Sequence, residues 1–296
     1  MLAADTLAAD EPRSNNAQLW RRLWRNRSVR FGLVVLAVLV LMALLAPWLH
    51  TVDPAQIKPR LRLKPPGAEH WLGTDSTGRD VWSRVVFGSR VSLVIGAVVA
   101  VFAVVAGCLV GILAGMVRWL DNLLMRSMDG MMAIPAILLA IALIGVMGAD
   151  RLTICIAITI PEIPRVARVV RSVVLTVREE AYVEASLSLG TPMWRVMLRH
   201  VLPNVMAPVV VQATYIASSA ILIEAALSFL GIGMPDEVPS WGNIMSDARL
   251  YFQISPGLMA APGLCIALTV LAINRLGDGL RDMLDPRLAR SVGGER

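Results

Sequence analysis

Three ionisable side chains lie inside otherwise apolar stretches of this chain and carry most of its chemistry: Glu162, Arg165 and Glu224. A charge exposed to lipid costs about 3 kcal/mol, so such side chains pair with one another or face a water-filled cavity. Glu162 and Arg165 are one helical turn apart and can form an ion pair. We interpret all three as candidate cavity residues, and for Glu162 a buried structural pair is the alternative.

The residue types needed for enzymatic chemistry are sparse. The two lysines, Lys58 and Lys64, lie in a proline-rich segment, so no lysine follows a glycine-rich turn to bind phosphate. The three histidines (His50, His70 and His200) are far apart, and neither Cys-x-x-Cys nor Gly-x-Ser-x-Gly occurs. We therefore expect a protein that is not an enzyme and that binds no cofactor or metal itself.

Composition predicts an integral membrane protein. Hydrophobic residues make up 56% of the 296 residues and charged residues only 17%, whereas soluble domains have about 25% charged residues. Several apolar runs are long enough to cross about 30 Å of hydrocarbon. The net charge of +6 is typical of a membrane protein whose cytoplasmic loops are basic. We therefore expect membrane lipid and no nucleic acid as a partner.

Six candidate membrane spans provide the helices that must position these side chains. The fourth is doubtful, because charged residues begin about ten residues into it. The second is rich in glycine and alanine, as expected where helices pack closely in lipid. The spans are Phe31–Leu49, Val91–Met116, Met131–Gly148, Leu152–Val174, Val205–Gly231 and Phe252–Asn274.

Arginine placement predicts the orientation. Five arginines lie within ten residues of the first span, which should keep the N-terminus in the cytoplasm. Six crossings then place 118–129, 168–199 and the C-terminal tail inside as well, and all are rich in arginine. The basic loop 50–90 would be external, which disagrees with the rule, although the rule weakens for long loops.

The segment 181–203 reads as a helix, a tight turn and a second helix. Gly190 suits the left-handed position after a helix end, Thr191 an N-cap and Pro192 the first position of the next helix. Pro203 should break that helix before the next apolar run.

The same segment resembles the EAA loop, E-A-A-x3-G-x9-I-x-L-P, of ABC importer permeases. Ser186 replaces the second alanine and His200 the isoleucine, and R-H-V-L-P-N at 199–204 is similar to the R-H-I-L-P-N of peptide-family permeases. In that family the loop contacts the ATPase. The coupling residues implied by the resemblance are Glu184, Ala185, Ser186, Gly190, Pro192, Arg195, Leu202 and Pro203.

Four more segments resemble the smaller permease of peptide and nickel ABC importers. They are L-G-T-D-x-x-G-R-D and its continuation at 72–93, L-S-F-L-G-I-G at 227–233, P-S-W-G at 239–242 and L-G-D-G-L-R-D-M-L-D-P-R at 276–287. From Arg79 to Gly88, apolar residues at helical spacing predict an interfacial helix that Gly88 ends, with Trp82 at headgroup level. A solvated connector is the alternative for this stretch.

The resemblance implies an all-α, six-helix fold of the type I importer permease. It divides the chain into a cytoplasmic tail (1–30), a first span (31–49), a periplasmic loop with the interfacial helix (50–90), a core with five spans (91–278, coupling loop at about 178–203) and a cytoplasmic tail (279–296). The implied partners are a second homologous permease, two ATP-binding subunits that hold ATP and magnesium, and a periplasmic or lipid-anchored binding protein.

The expected function is import of di- or oligopeptides across a bacterial inner membrane. The Glu162 carboxylate could then meet the amino terminus of a peptide. Nickel import is an alternative, because nickel permeases share these motifs. An ion-driven secondary transporter is a further alternative, but such proteins often have an internal inverted repeat, and we find none in this sequence.

Overall fold

The structure, a computed structural model, describes residues 26–49 and 51–284, and most of both predicted tails lies outside them. Regular structure within these residues is helical, with one isolated backbone bridge between Thr74 and Asp80. The helices are α1 (Arg27–Leu44), α2 (Val81–Met116), α3 (Arg118–Met132), α4 (Ala136–Met147), α5 (Arg151–Arg178), α6 (Ala181–Ser188), α7 (Met193–Val196), α8 (Leu202–Phe229), α9 (Trp241–Ala248) and α10 (Gly257–Leu284).

Four helices in the described residues are long and apolar enough to cross a membrane: α1, α2, α10 and the continuous helix Met193–Phe229 that contains α7 and α8. The bent pair α3–α4 would be a fifth. Helix α5 has 28 residues but carries too many charges to qualify by composition, as the sequence suggested. The count of six spans therefore stays a prediction.

The third predicted span, Met131–Gly148, is not one straight helix. Its apolar part is α4, which has 12 residues and so extends about 18 Å, less than the hydrocarbon thickness. Helix α3 precedes it at an angle of 89°. Pro135 is the N-cap residue of α4, and it separates the two helices because proline disfavours helical geometry in the residue before it.

Helices α2 and α5 pack through a row of glycines, which confirms the expected close approach. A Cβ added to Gly107 would lie 2.4 Å from Val166 Cβ, and one added to Gly115 would lie 2.5 Å from a methyl of Val174. Between them, Gly111 faces Ala167 and Val170 in the same way. Only glycine allows this backbone separation, and dispersion contacts at such separations hold helices together in lipid.

The helix contacts assign the ends of the bundle. Gly32 in α1 packs against Ala272 of α10, and Gly279 packs against Val29, so these helices are antiparallel. Arg178 donates to the carbonyl of Gly115 at 2.9 Å, which joins the ends of α5 and α2. The start of α1, the ends of α2, α5 and α10, and the segment 181–203 therefore lie at one end, which we call the coupling end.

Residues 51–80 and α9 lie at the opposite end, where a buried charge network joins them. Asp75 Oδ2 accepts hydrogen bonds from Arg79 Nε and Arg84 Nη1, both at 2.7 Å. Asp247 Oδ2 in α9 accepts from the same two arginines at 3.0 and 2.9 Å. Burial acts to raise the pKa of Asp75, but the backbone N–H and guanidinium of Arg79 outweigh it, so that pKa lies below its usual value.

The helix predicted after Arg79 exists, but it does not end at Gly88. It begins at Val81, where the Asp80 carboxylate caps it, and continues through Gly88 as the transmembrane helix α2. Arg84 is fully buried in the charge network instead of being solvated. Trp82 is half-buried, and its indole N–H donates to the Leu49 carbonyl at 2.8 Å. The L-G-T-D-x-x-G-R-D motif is thus part of a packed structural unit.

Candidate coupling and translocation sites

The segment 181–201 forms two short helices joined by a turn. Gly190 has φ = +80°, and its N–H donates to Leu187 O at 3.0 Å while Thr191 N–H donates to Ser186 O at 3.1 Å. These two bonds define a Schellman motif and satisfy carbonyls at the end of α6. The left-handed position predicted for Gly190 is confirmed.

Two local predictions in this segment were wrong. The N-cap of α7 is Pro192, not Thr191, so the second helix begins one residue later than expected. Pro203 does not break the helix. The chain passes from α7 through a π-helical turn, Met197–Val201, into α8, and this wider turn accommodates a residue that lacks the N–H of a regular helix.

In the segment 181–203, three valines are buried against the rest of the protein, whereas other apolar side chains are exposed. Val183, Val196 and Val201 are fully buried. By contrast, Leu189 is 86% exposed and Trp194 58% exposed. We call a set of exposed and half-buried side chains of this segment the coupling surface. Besides Leu189 and Trp194, it comprises Glu184, Ala185, Ser186, Met193, Arg195, Leu198 and Leu202.

A cavity of about 680 Å³ lies beside this surface. Met116 and Arg118, at the junction of α2 and α3, form one wall. Glu184, Leu187 and Met193 form the other, with Val117, Arg178 and Glu179 completing the lining. A cavity with both charged and apolar walls can receive a helix or loop of a partner protein.

The R-H-V-L-P-N variant has a structural role in this segment. Asn204 Nδ2 donates to the His200 carbonyl at 2.7 Å and to the Tyr182 hydroxyl at 3.3 Å. The Tyr182 and His200 rings are in tilted contact, with centroids 5.7 Å apart. These contacts join α6 to the π-helical turn that leads into α8.

The predicted pair between Glu162 and Arg165 is present in α5. Arg165 Nη1 donates to Glu162 Oε2 at 2.9 Å, and Ser219 in α8 donates to the other carboxylate oxygen at 3.3 Å. Glu162 is only 1% exposed, whereas the Arg165 side chain is 51% exposed. The carboxylate is therefore inside the subunit and the guanidinium is at its surface.

Glu224, the third candidate cavity residue, lies inside the subunit. It is completely buried and accepts hydrogen bonds from Ser228 at 2.9 Å and from Ser92 at 3.4 Å. Ser92 also accepts from the backbone N–H of Trp241, the first residue of α9. The L-S-F-L-G-I-G and P-S-W-G motifs thus meet around one carboxyl group that links α2, α8 and α9.

Comparison with known proteins gives the family. Residues 103–290 match the family of inner membrane components of binding-protein-dependent transport systems. Residues 14–66 match the family of the N-terminal transmembrane domain of oligopeptide transport permease C. The chain belongs to this permease family. It is therefore a membrane-spanning subunit of a transport system, which confirms that it is not the enzyme that hydrolyses ATP.

Related permeases match along most of their length. A protein of Brucella abortus named as a peptide transport system permease is 49% identical over 90% of each chain. The di/tripeptide transport system permease protein DppC of Pseudomonas aeruginosa is 42% identical over 93% of each chain. The dipeptide transport system permease protein DppC of Alkalihalophilus pseudofirmus is 41% identical over 92% of this chain and 90% of its own.

Sequence reasoning missed part of this permease's coupling surface. Leu189, Trp194 and Leu198 are among its most exposed apolar side chains, whereas helical spacing in the sequence indicates Met193, Val196 and Met197 as the apolar flank of α7. Of these, Val196 is buried and Met197 is half-buried. The missed signal was the surplus of apolar residues, since a short helix with an anchored valine cannot bury them all.

Proposed function

We propose that this permease imports di- or oligopeptides across the bacterial inner membrane as one half of a heterodimer with a second, homologous permease. Two ATP-binding subunits, which would hold the ATP and magnesium, would dock at the coupling end. A periplasmic or lipid-anchored binding protein would deliver the substrate at the opposite end.

The observation that carries this proposal is the uncovered coupling surface. Leu189 is 86% exposed at the tip of a tightly held turn. Burial of this apolar side chain in a groove of another protein would be favourable, because it would remove apolar surface from water. Glu184 and the basic residues Arg118 and Arg178 around the adjacent cavity would provide polar contacts at the edge of that interface.

The helix contacts suggest how docking would move the permease. Closure of the ATP-binding subunits would push α6, and the contacts of Tyr182 with His200 and Asn204 would carry the movement into α8. Because α8 packs against α2, α5 and α10, its movement would shift the bundle between inward-open and outward-open states, a two-state change biased by nucleotide.

The proposed orientation places the coupling end in the cytoplasm. The start of α1 and the end of α10 lie at that end, so both termini would be cytoplasmic, in agreement with the arginine distribution. The substrate class is supported by the names of the related permeases, which describe peptide, dipeptide and di/tripeptide transport.

Reconstitution tests this proposal. The permease is purified together with its second permease and ATP-binding subunits, placed in liposomes and supplied with its binding protein. We expect ATP-driven uptake of a labelled dipeptide and none of labelled nickel. Uptake of nickel but not of the dipeptide would contradict the peptide assignment, and uptake by this chain alone on an ion gradient would contradict the whole account.

A further inference from the structure

Arg165 lies at a depth where an arginine is not expected to face lipid. Its neighbour Val166 packs against Gly107 of α2, nine residues before the end of that helix at Met116, which corresponds to about 14 Å along the axis. The side chain is therefore near the middle of a 30 Å hydrocarbon layer. It is half exposed on the isolated subunit, so its surface must face another protein or water.

Polar groups continue from this position along the groove between α5 and α8. Ser219, Tyr215 and Gln212 recur at helical spacing on α8, and Ser219 contacts the Glu162 carboxylate. One turn beyond Arg165, Val169 lines a cavity of about 410 Å³ that also includes Gln212, Tyr215 and Arg281 of α10. This track of polar groups leads from Arg165 towards the coupling end.

The positive member of the ion pair, Arg165, is exposed one helical turn before Val169, which lines this cavity. Glu162 is buried behind Arg165, and one guanidinium nitrogen of Arg165 donates to it. Within the described residues the other guanidinium N–H groups donate to no acceptor. A guanidinium held at one nitrogen and free at the others is suited to bind a carboxylate through two parallel hydrogen bonds.

We propose that Arg165 is a substrate-binding residue of the translocation path, where its guanidinium receives the carboxylate of the transported peptide. This inference rests on the proposed peptide function, and for Glu162 it favours the buried pair, which the sequence left as an alternative, over contact with the substrate amine. Glu162 does not contact the substrate amine. It holds the guanidinium in place, and the substrate group recognised is an anion.

The test compares one labelled dipeptide as the free acid and as its C-terminal amide, with the complete reconstituted transporter and its binding protein. Arg165→Gln should lower the ratio of acid uptake to amide uptake about tenfold, as expected for loss of one charge-assisted interaction. Arg165→Lys, which keeps the charge but cannot form the two parallel hydrogen bonds, should retain only part of the ratio. If the wild-type transporter carries no amide, uptake of the free acid alone is compared between Arg165→Gln and Arg165→Lys. We then expect faster uptake by Arg165→Lys, and equal uptake by the two variants would overturn the inference.

Arg168→Gln is the matched control. Arg168 is on the same helix, is 48% exposed and pairs with Asp129 of α3 at 2.6 Å, so its replacement should leave the ratio unchanged. An unchanged ratio in Arg165→Gln would overturn the inference. Equal loss of acid and amide, or loss of the co-purified second permease, would also overturn it, because both indicate an ion pair at the subunit interface. Failure of the wild-type transporter to carry any peptide would instead reject the proposed function.

Discussion

Replacing Gly111 with leucine should separate α2 from α5. A Cβ at this position would lie 2.7 Å from both Ala167 O and Val170 Cβ, whereas carbon atoms pack best at about 3.5–4.0 Å. The helices must therefore move apart by about 1 Å, which removes a quarter to a half of each dispersion contact at the neighbouring glycines. Overpacking costs about 1–3 kcal/mol, and the better helix propensity of leucine offsets up to about 1 kcal/mol.

We therefore expect Gly111→Leu to destabilise the permease by about 2 kcal/mol, measured as a lower midpoint of thermal unfolding in detergent. Gly145→Ala is the control. Gly145 is inside α4 and an added Cβ would meet no atom within 4 Å, so this variant should be as stable as wild type or slightly more stable. A Gly111→Leu protein with the wild-type midpoint would refute the packing argument.

Two further predictions concern the turn and the charge network. Gly190→Val should abolish co-purification of the ATP-binding subunits while the permeases still assemble, because valine disfavours φ = +80°; normal co-purification and transport would contradict the docking role. Asp75→Asn should destabilise the protein by about 3 kcal/mol or more, since it leaves Arg79 and Arg84 buried with one fewer carboxylate. The lowered pKa of Asp75 stabilises the fold above the unfolded pKa of about 4, and this stability is lost as pH falls below it. The unfolding midpoint of wild type should therefore fall more steeply below pH 4 than that of Asp75→Asn, and exposed Asp53→Asn should behave as wild type.

Local chemistry predicted the features that depend on a few adjacent residues. The left-handed Gly190 follows from its place after a helix end, and the Glu162–Arg165 pair follows from helical spacing. The close packing of α2 follows from its small residues. Pro135 could also have indicated the break between α3 and α4, but the apolar run around it concealed the bend.

Long-range contacts explain the remaining differences. Residues 79–88 look amphipathic in isolation, but Arg84 is neutralised by Asp75 and by Asp247, and Asp247 is 163 residues away in sequence. Its side chain therefore turns inward and the helix continues. Similarly, no local pattern shows that Glu224 would be enclosed by serines from α2 and α8, or that Arg165 rather than Glu162 would be at the surface.

The most direct test of the coupling surface is the accessibility of Leu189 in the assembled transporter. Leu189→Cys is introduced after replacement of Cys108, Cys155 and Cys265 with alanine, and its reaction with a maleimide is measured with and without the ATP-binding subunits. Leu250→Cys, 77% exposed at the opposite end, is the control and should react equally in both. We predict that the Leu189→Cys thiol reacts in the proposed permease heterodimer and is protected when the ATP-binding subunits are present. Equal reaction in both states would contradict the assignment of this surface as their docking site.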